Sequence, residues 1–275
     1  MDEDRQAGAG GAGDAAEVPS EVTQDPTDVL AAFGEGRANA HDVMRALVSH
    51  RGWLVPLGFL AECRGDGARA DSILILSHEA QVPPGNLWLF TDEEAALLAQ
   101  SKGAMLGAYA SGMSGTELFG AVGSQYQTVY VNPGSPPART WLFQEGSATD
   151  VGSLWAAAVA LEESFAGWQA TGEPDLRALE GYRAFTVYNH ASGPVITLPG
   201  RGGMSNPAVA FTAPDCAEAF LKLLSEEQRA QMRPAMSDGK SLLGDTLRGI
   251  DGLLFNPFGP GATYALPLHT GEDSQ

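Results

Sequence analysis

Cysteine is almost missing from this chain: Cys63 and Cys216 are the two thiols among 275 residues. They fall at non-equivalent places, which argues against a structural disulfide and for a reducing compartment. Positive charge is scarce too, with 16 lysines and arginines against 34 aspartates and glutamates and a net charge of −18. A field of that sign repels phosphate backbones and anionic lipid, so neither nucleic acid nor a membrane surface is an expected partner. No apolar run reaches the length of a membrane span, and no basic stretch leads into an apolar one at the start. The cytoplasm is the expected location.

Signatures of catalysis and cofactor binding are missing as well. Gly8, Gly10 and Gly13 spell a dinucleotide fingerprint, but nothing before Gly8 can be the strand that such a turn needs. Residues 237–241 end like a phosphate-binding loop, yet Pro234 stands where its first glycine belongs. Gly112-Met113-Ser114-Gly115 lacks the spacing of a nucleophile elbow. The 5 histidines are scattered, with no paired spacing for metal ligation. No metal, cofactor or convergent set of acid, base and nucleophile is expected, and the protein is expected not to be an enzyme.

What the chain has is a core and a repeat. Its hydrophobic fraction is 44%, enough for a globular interior. Leu-Trp-Leu-Phe-Thr-Asp-Glu-Glu-Ala at 87–95 is echoed by Ala-Val-Ala-Phe-Thr-Ala-Pro-Asp-Cys at 208–216. Gly-Thr-Glu-Leu-Phe-Gly at 115–120 is echoed at 239–244, and Val-Tyr-Val-Asn-Pro-Gly at 129–134 is echoed at 253–258. Further upstream, an offset of 132 pairs Leu161 with Val29, Phe165 with Phe33, Leu179 with Leu47 and Phe185 with Trp53. Offsets that change only across loops are what a duplicated fold with variable connections produces.

Element signals follow the same plan. Asp25-Pro26-Thr27 starts a helix carrying Val29, Leu30 and Phe33, and 39–50 gives a second with Val43, Leu47 and Val48 on one face. Apolar runs at 53–57, 73–76 and 87–90 predict three strands, separated by loops at 64–70 and 83–85. Helices follow Thr91-Asp92 and Ser114, then strands at 128–131 and 140–143. Thr91 or Asp92 is expected to cap the first of these helices, Ser114 the second, and Thr212 the helix that follows it. Residues 151–168 space their apolar side chains by three and four, predicting a long amphipathic helix that opens the second unit. The strands lie too close together for helix crossovers throughout. The expected fold class is therefore α+β: two related units, each a mixed or antiparallel sheet with helices packed on one face, in a pseudo-two-fold arrangement. Expected boundaries are a disordered Gly/Ala-rich acidic tail at 1–25, units at 26–146 and 147–268, and a short tail at 269–275.

The order of strand, Phe90-Thr91-Asp92, helix, strand and Asn132-Pro133, repeated with Phe211-Thr212 and Asn256-Pro257, resembles the SseB N-terminal-domain family, named for an enhanced-serine-sensitivity protein. The resemblance covers residues 26–268 in two copies. It implies a small cytosolic bacterial protein with a binding or adaptor role. The second copy departs from the first in having Ala213-Pro214-Asp215 where Asp92-Glu93-Glu94 stand, so a function that needs the acidic trio would be confined to the first.

Asn132, Pro133, Asn256 and Pro257 sit at strand ends, where asparagine closes a turn and proline stops the strand. Polar strand ends also line clefts, and Phe258 with Gly259 adds an aromatic on a tight turn. These six are the candidate binding residues. The expected function is a non-enzymatic adaptor with a protein partner. The alternatives are an amino-acid-like small-ligand sensor using a cleft between the units, or a chaperone or immunity-type partner for a cationic client.

Overall fold

The structure is a computed structural model that describes residues 25–65, 69–76, 85–104, 107–123, 126–144, 147–189, 196–243 and 250–268. The expected tails at 1–25 and 269–275 lie outside the described residues, Asp25 apart.

Local chemistry sets the first helices. Asp25 accepts from the Thr27 N–H and Pro26 takes the first helical position of α1 (Pro26–Gly34). Asn39 and Asp42 close a reciprocal capping box on α2 (Ala40–Ser49), whose buried face carries Val43, Met44, Ala46, Leu47 and Val48. The first half continues through β1 (Trp53–Pro56), α3 (Leu57–Arg64), β2 (Ile73–Ile75) and β3 (Asn86–Leu89). It ends with α4 (Glu93–Ser101), β4 (Ala108–Met113), α5 (Gly115–Ala121), β5 (Thr128–Val131) and β6 (Trp141–Phe143). The helix expected at 151–168 begins earlier, as α6 (Ser147–Val151) and a π-helical turn that leads into α7 (Ala157–Thr171). The second half then runs α8 (Leu176–Glu180), β7 (Arg183–Asn189), β8 (Ala208–Ala210) and α9 (Pro214–Lys222). It closes with α10 (Glu226–Ala230), β9 (Met232–Asp238), α11 (Gly239–Leu243), β10 (Gly252–Phe255) and β11 (Tyr264–Pro267).

The fold is α+β, with small mixed and antiparallel sheets. In the first half β1, β4 and β2 make one antiparallel sheet, while β3 pairs parallel with β5 and β5 antiparallel with β6. In the second half β7 pairs antiparallel with β9, β8 parallel with β10, and β10 antiparallel with β11. Among the described residues, an isolated bridge joins the two sheets of each half, Leu54 to Phe90 and Phe185 to Phe211.

Three elements depart from the sequence reading. The strand expected at 53–57 stops at Pro56 and the chain turns into α3, whose buried contacts are Phe59 and Leu60. Two adjacent apolar residues are too few to announce a helical period. β4 reads Ala-Tyr-Ala-Ser-Gly-Met and β9 Met-Arg-Pro-Ala-Met-Ser-Asp. Neither has a β-branched residue, so both pass for loop in a propensity reading; pairing with β1 and β7 makes them strands.

Two glycines show how tightly neighbouring helices meet, α5 on α2 and α11 on α8. A Cβ on Gly115 would collide with the carbonyl oxygens of Leu47 and Val48, and one on Gly239 with that of Leu179. Their N–H groups donate to the carbonyls of His50 at 2.6 Å and Tyr182 at 2.7 Å.

The largest core cluster joins Leu47, Trp53, Leu89, Phe119 and Val131 to Trp155 and Val159, and continues into Phe211, Cys216 and Phe220 of the second half. A second cluster gathers Leu161, Phe165, Leu179, Phe255 and Tyr264. The long helical segment therefore packs on the first half before Ala160 and on the second from Leu161 onward.

Candidate functional site

Asn132 and Asn256 adopt left-handed backbone conformations, with φ of 51° and 47°, a region that asparagine tolerates better than other non-glycine residues. Each ends a parallel strand and reaches sideways to the end of its neighbour. Asn132 Oδ1 accepts from the Thr91 N–H at 2.9 Å, and its Nδ2 donates to Thr91 Oγ1 at 3.0 Å. Asn256 Oδ1 accepts from the Thr212 N–H at 2.9 Å, and its Nδ2 donates to Thr212 Oγ1 at 2.8 Å. The ring of His50 meets the Thr91 carbonyl at 2.9 Å, and the Tyr182 hydroxyl donates to the Thr212 carbonyl at 2.5 Å. Both asparagines are buried, so they tie strands together and do not face a ligand. Pro133 and Pro257 follow them, half-buried. The threonines are not caps: Asp92 caps α4 by accepting from the Ala95 N–H at 2.7 Å, and Ala213 at the N-cap position of α9 supplies no side-chain cap. Ser114 does cap α5, accepting from the Glu117 N–H at 3.2 Å.

Around the second asparagine the structure assembles what the sequence reading did not expect, four ionisable side chains at one point. Arg45 on α2 donates through Nε to Asp215 Oδ2 at 2.6 Å and through Nη2 to Asp215 Oδ1 at 3.1 Å. The same guanidinium donates through Nη1 to Glu162 Oε2 at 2.7 Å and through Nη2 to Glu162 Oε1 at 3.3 Å. Glu162 on α7 also accepts from the Thr212 hydroxyl and, at 3.3 Å, from Asn256 Nδ2. The fourth group, Cys216, lies 3.3 Å from Arg45 Nη2. One cation from the first half thus holds two buried carboxylates of the second. Burial works against the Arg45 charge, but the hydrogen bond to Asp215 and the charges of Glu162 and Asp215 outweigh it and raise its pKa, so the guanidinium stays ionised.

This cluster is a lock and not a nucleophilic centre. Burial first, and then the charge of Asp215, pushes the Cys216 thiol up to about 12, so near neutral pH it is a protonated thiol rather than a thiolate. Both oxygens of Glu162 and of Asp215 accept hydrogen bonds, which leaves neither as a free base. Among the described residues no group of three His, Cys, Asp or Glu side chains is placed to hold a metal ion.

Directly beside the lock, α2 and α9 form the walls of a cleft of about 330 Å³. Asn39, His41 and Asp42 come from the first half; Asp215, Glu218, Ala219 and Lys222 lie on one face of α9. Phe258, Gly259 and Pro260 make the lip. His41 Nδ1 approaches Glu218 Oε2 to 3.5 Å across the cleft. The lip follows a crowded loop: a Cβ on Gly259 would sit 2.9 Å from Cys216 Cα, and one on Gly261 would collide with Glu162. The Phe258 ring stacks on Phe220 at 6.1 Å, and the Arg201 guanidinium lies 5.6 Å from its centroid.

Of the six candidate binding residues, then, Phe258 and Gly259 line the cleft, while the two asparagines are buried and tie strand ends together. Arg45, Glu162 and Asp215 were missed. Glu162 carried a signal, since it falls between Leu161 and Phe165 on the buried stripe of its helix. Asp215 belongs to the half that lacks the acidic trio; in the other half Asp92 caps α4 and Glu93 and Glu94 are exposed.

No protein-family model matches this chain, and no curated protein does. Among solved structures, Anabaena Tic22 (protein transport) aligns at 8% identity over 76% of this chain and 88% of that chain, with a TM-score of 0.23. A likeness that slight bears on neither fold nor function. Among the described residues, no helix is long and apolar enough to cross a membrane.

Proposed function

We propose that this chain is a non-enzymatic, cytoplasmic binding protein of the SseB-like family, made of two related units, that recognises a protein partner through the α2–α9 cleft. The carrying observation is the cleft itself: its walls come from opposite halves and are fixed together from below by Arg45. A rigid, preformed concavity loses little freedom when it is filled. The relation between the halves is supported by the recurrence of the asparagine–threonine ties, the parallel strand pairs and the colliding glycines at matching positions. The bacterial origin is part of the same resemblance, and the net charge of −18 speaks against nucleic acid as the partner.

The test is affinity capture with quantitative mass spectrometry, comparing the wild type with Ala219→Trp, which fills the cleft from an only half-buried position. The reading expects at least one protein retained by the wild type and lost by the variant. Identical retention by both would remove the cleft as the recognition site.

A second reading has one observation in its favour. The cleft volume of about 330 Å³ lies at the lower end of the range of small-molecule sites, about 300–1,000 Å³. An amino-acid-like ligand would raise the melting temperature of the wild type but not of Ala219→Trp.

A further inference from the structure

Resting on the binding reading above, we propose that the α2–α9 cleft seats a cationic side chain, a lysine or arginine presented by the partner protein. Three carboxylates line this cleft from both walls, Asp42 from α2 and Asp215 and Glu218 from α9, against the ammonium of Lys222 and the ring of His41. Arg45 adds no free charge from below, because its guanidinium is shared between Asp215 and Glu162 and that group of three carries one net negative charge. Asp42 gives one oxygen to the Asn39 N–H at 2.7 Å, and Glu218 gives one to His41 at 3.5 Å. Among the described residues the second oxygen of each has no partner. Asp215 is 8% exposed and both its oxygens are engaged by Arg45, so the open acceptors in the cleft are those of Asp42 and Glu218.

The lip shows the same chemistry satisfied from within the chain. Arg201 lays its guanidinium over the face of Phe258, a cation–π arrangement. The space of about 330 Å³ accommodates one long side chain, and a net charge of −18 draws basic partners toward the protein as a whole. An anionic group would instead meet two open carboxylate oxygens.

The experiment is a titration of the ¹⁵N-labelled full chain, at low ionic strength, with N-acetyl-arginine amide, N-acetyl-lysine amide and N-acetyl-glutamate amide. The expected result is saturable shifts of the Asp42, Ala219 and Gly259 amides with the two cationic probes and none with the glutamate probe. Glu218→Gln and Asp42→Asn should each weaken binding by about threefold or more. The side-chain amide introduced by Asp42→Asn keeps an acceptor for the capping box, so the fold is preserved and the spectrum verifies it. No saturable response at these amides, an equal response to glutamate, or unchanged binding by both variants overturns the proposal. If cleft-dependent capture succeeds while the probes do nothing, the binding reading stands and only the cationic assignment falls. If capture fails, the parent reading falls on its own account.

Discussion

At the scale of single residues, Arg45 carries the most consequence. Removing one partner from a buried ion network strands the others, whereas replacing the whole network by packed apolar groups is often neutral. Arg45→Met alone is expected to lower unfolding stability by about 3–5 kcal/mol, read from urea denaturation. The triple replacement with Glu162→Met and Asp215→Leu should recover most of that loss; a single variant as stable as the wild type would mean the lock contributes nothing. The two thiols give a second check. Cys63 is half-buried and Cys216 fully buried, so a thiol reagent should label Cys63 in the native state and Cys216 only on unfolding. The Cys216 thiol keeps its proton to about 12 when folded, against an ordinary value of 9.0. Burial pushes Tyr109 and Tyr182 up as well. Because the unfolded chain releases these protons first, their contribution is full below pH 9 and is lost as pH rises from there toward 12. The melting temperature should fall over that window, and less steeply in Cys216→Ala; a rise with pH would contradict the burial of these groups. Little of this was legible in the sequence. Arg45 and Asp215 are 170 positions apart, and no local pattern announces a contact made by packing two halves together.

Elements were more legible, because they rest on local spacing. Capped amphipathic helices such as α2 and apolar strands such as β5 follow directly from residue order. The misses, α3, β4 and β9, are segments whose conformation is imposed by a neighbour and not by their own side chains. Glycines separate local from imposed structure experimentally. Gly115→Ala and Gly239→Ala push a methyl into backbone carbonyls, and each should cost about 1–3 kcal/mol or more. Gly167, exposed on α7 with nothing within 4 Å of its absent Cβ, should behave oppositely. Gly167→Ala is expected to stabilise by up to about 1 kcal/mol through helix propensity. Denaturation midpoints of the three variants check the contrast, and equal effects at all three would remove the close-contact argument.

For the molecule as a whole, the sequence echoes match places where both halves have a parallel strand pair and an asparagine tie, because those positions answer to backbone geometry. In the charged cluster beside the cleft the two halves differ: Glu162 stands at the position of Leu30, and Asp215 at the position of Glu94, under the offsets that pair the sequence echoes. Recognition through the α2–α9 cleft, as proposed, is shared between the halves. Hydrogen exchange on the full chain, with and without a captured partner, tests it most directly. The account predicts protection of both the first turns of α2 and the cleft face of α9 on binding. Protection confined to one half, or lying wholly away from these two helices, would contradict it.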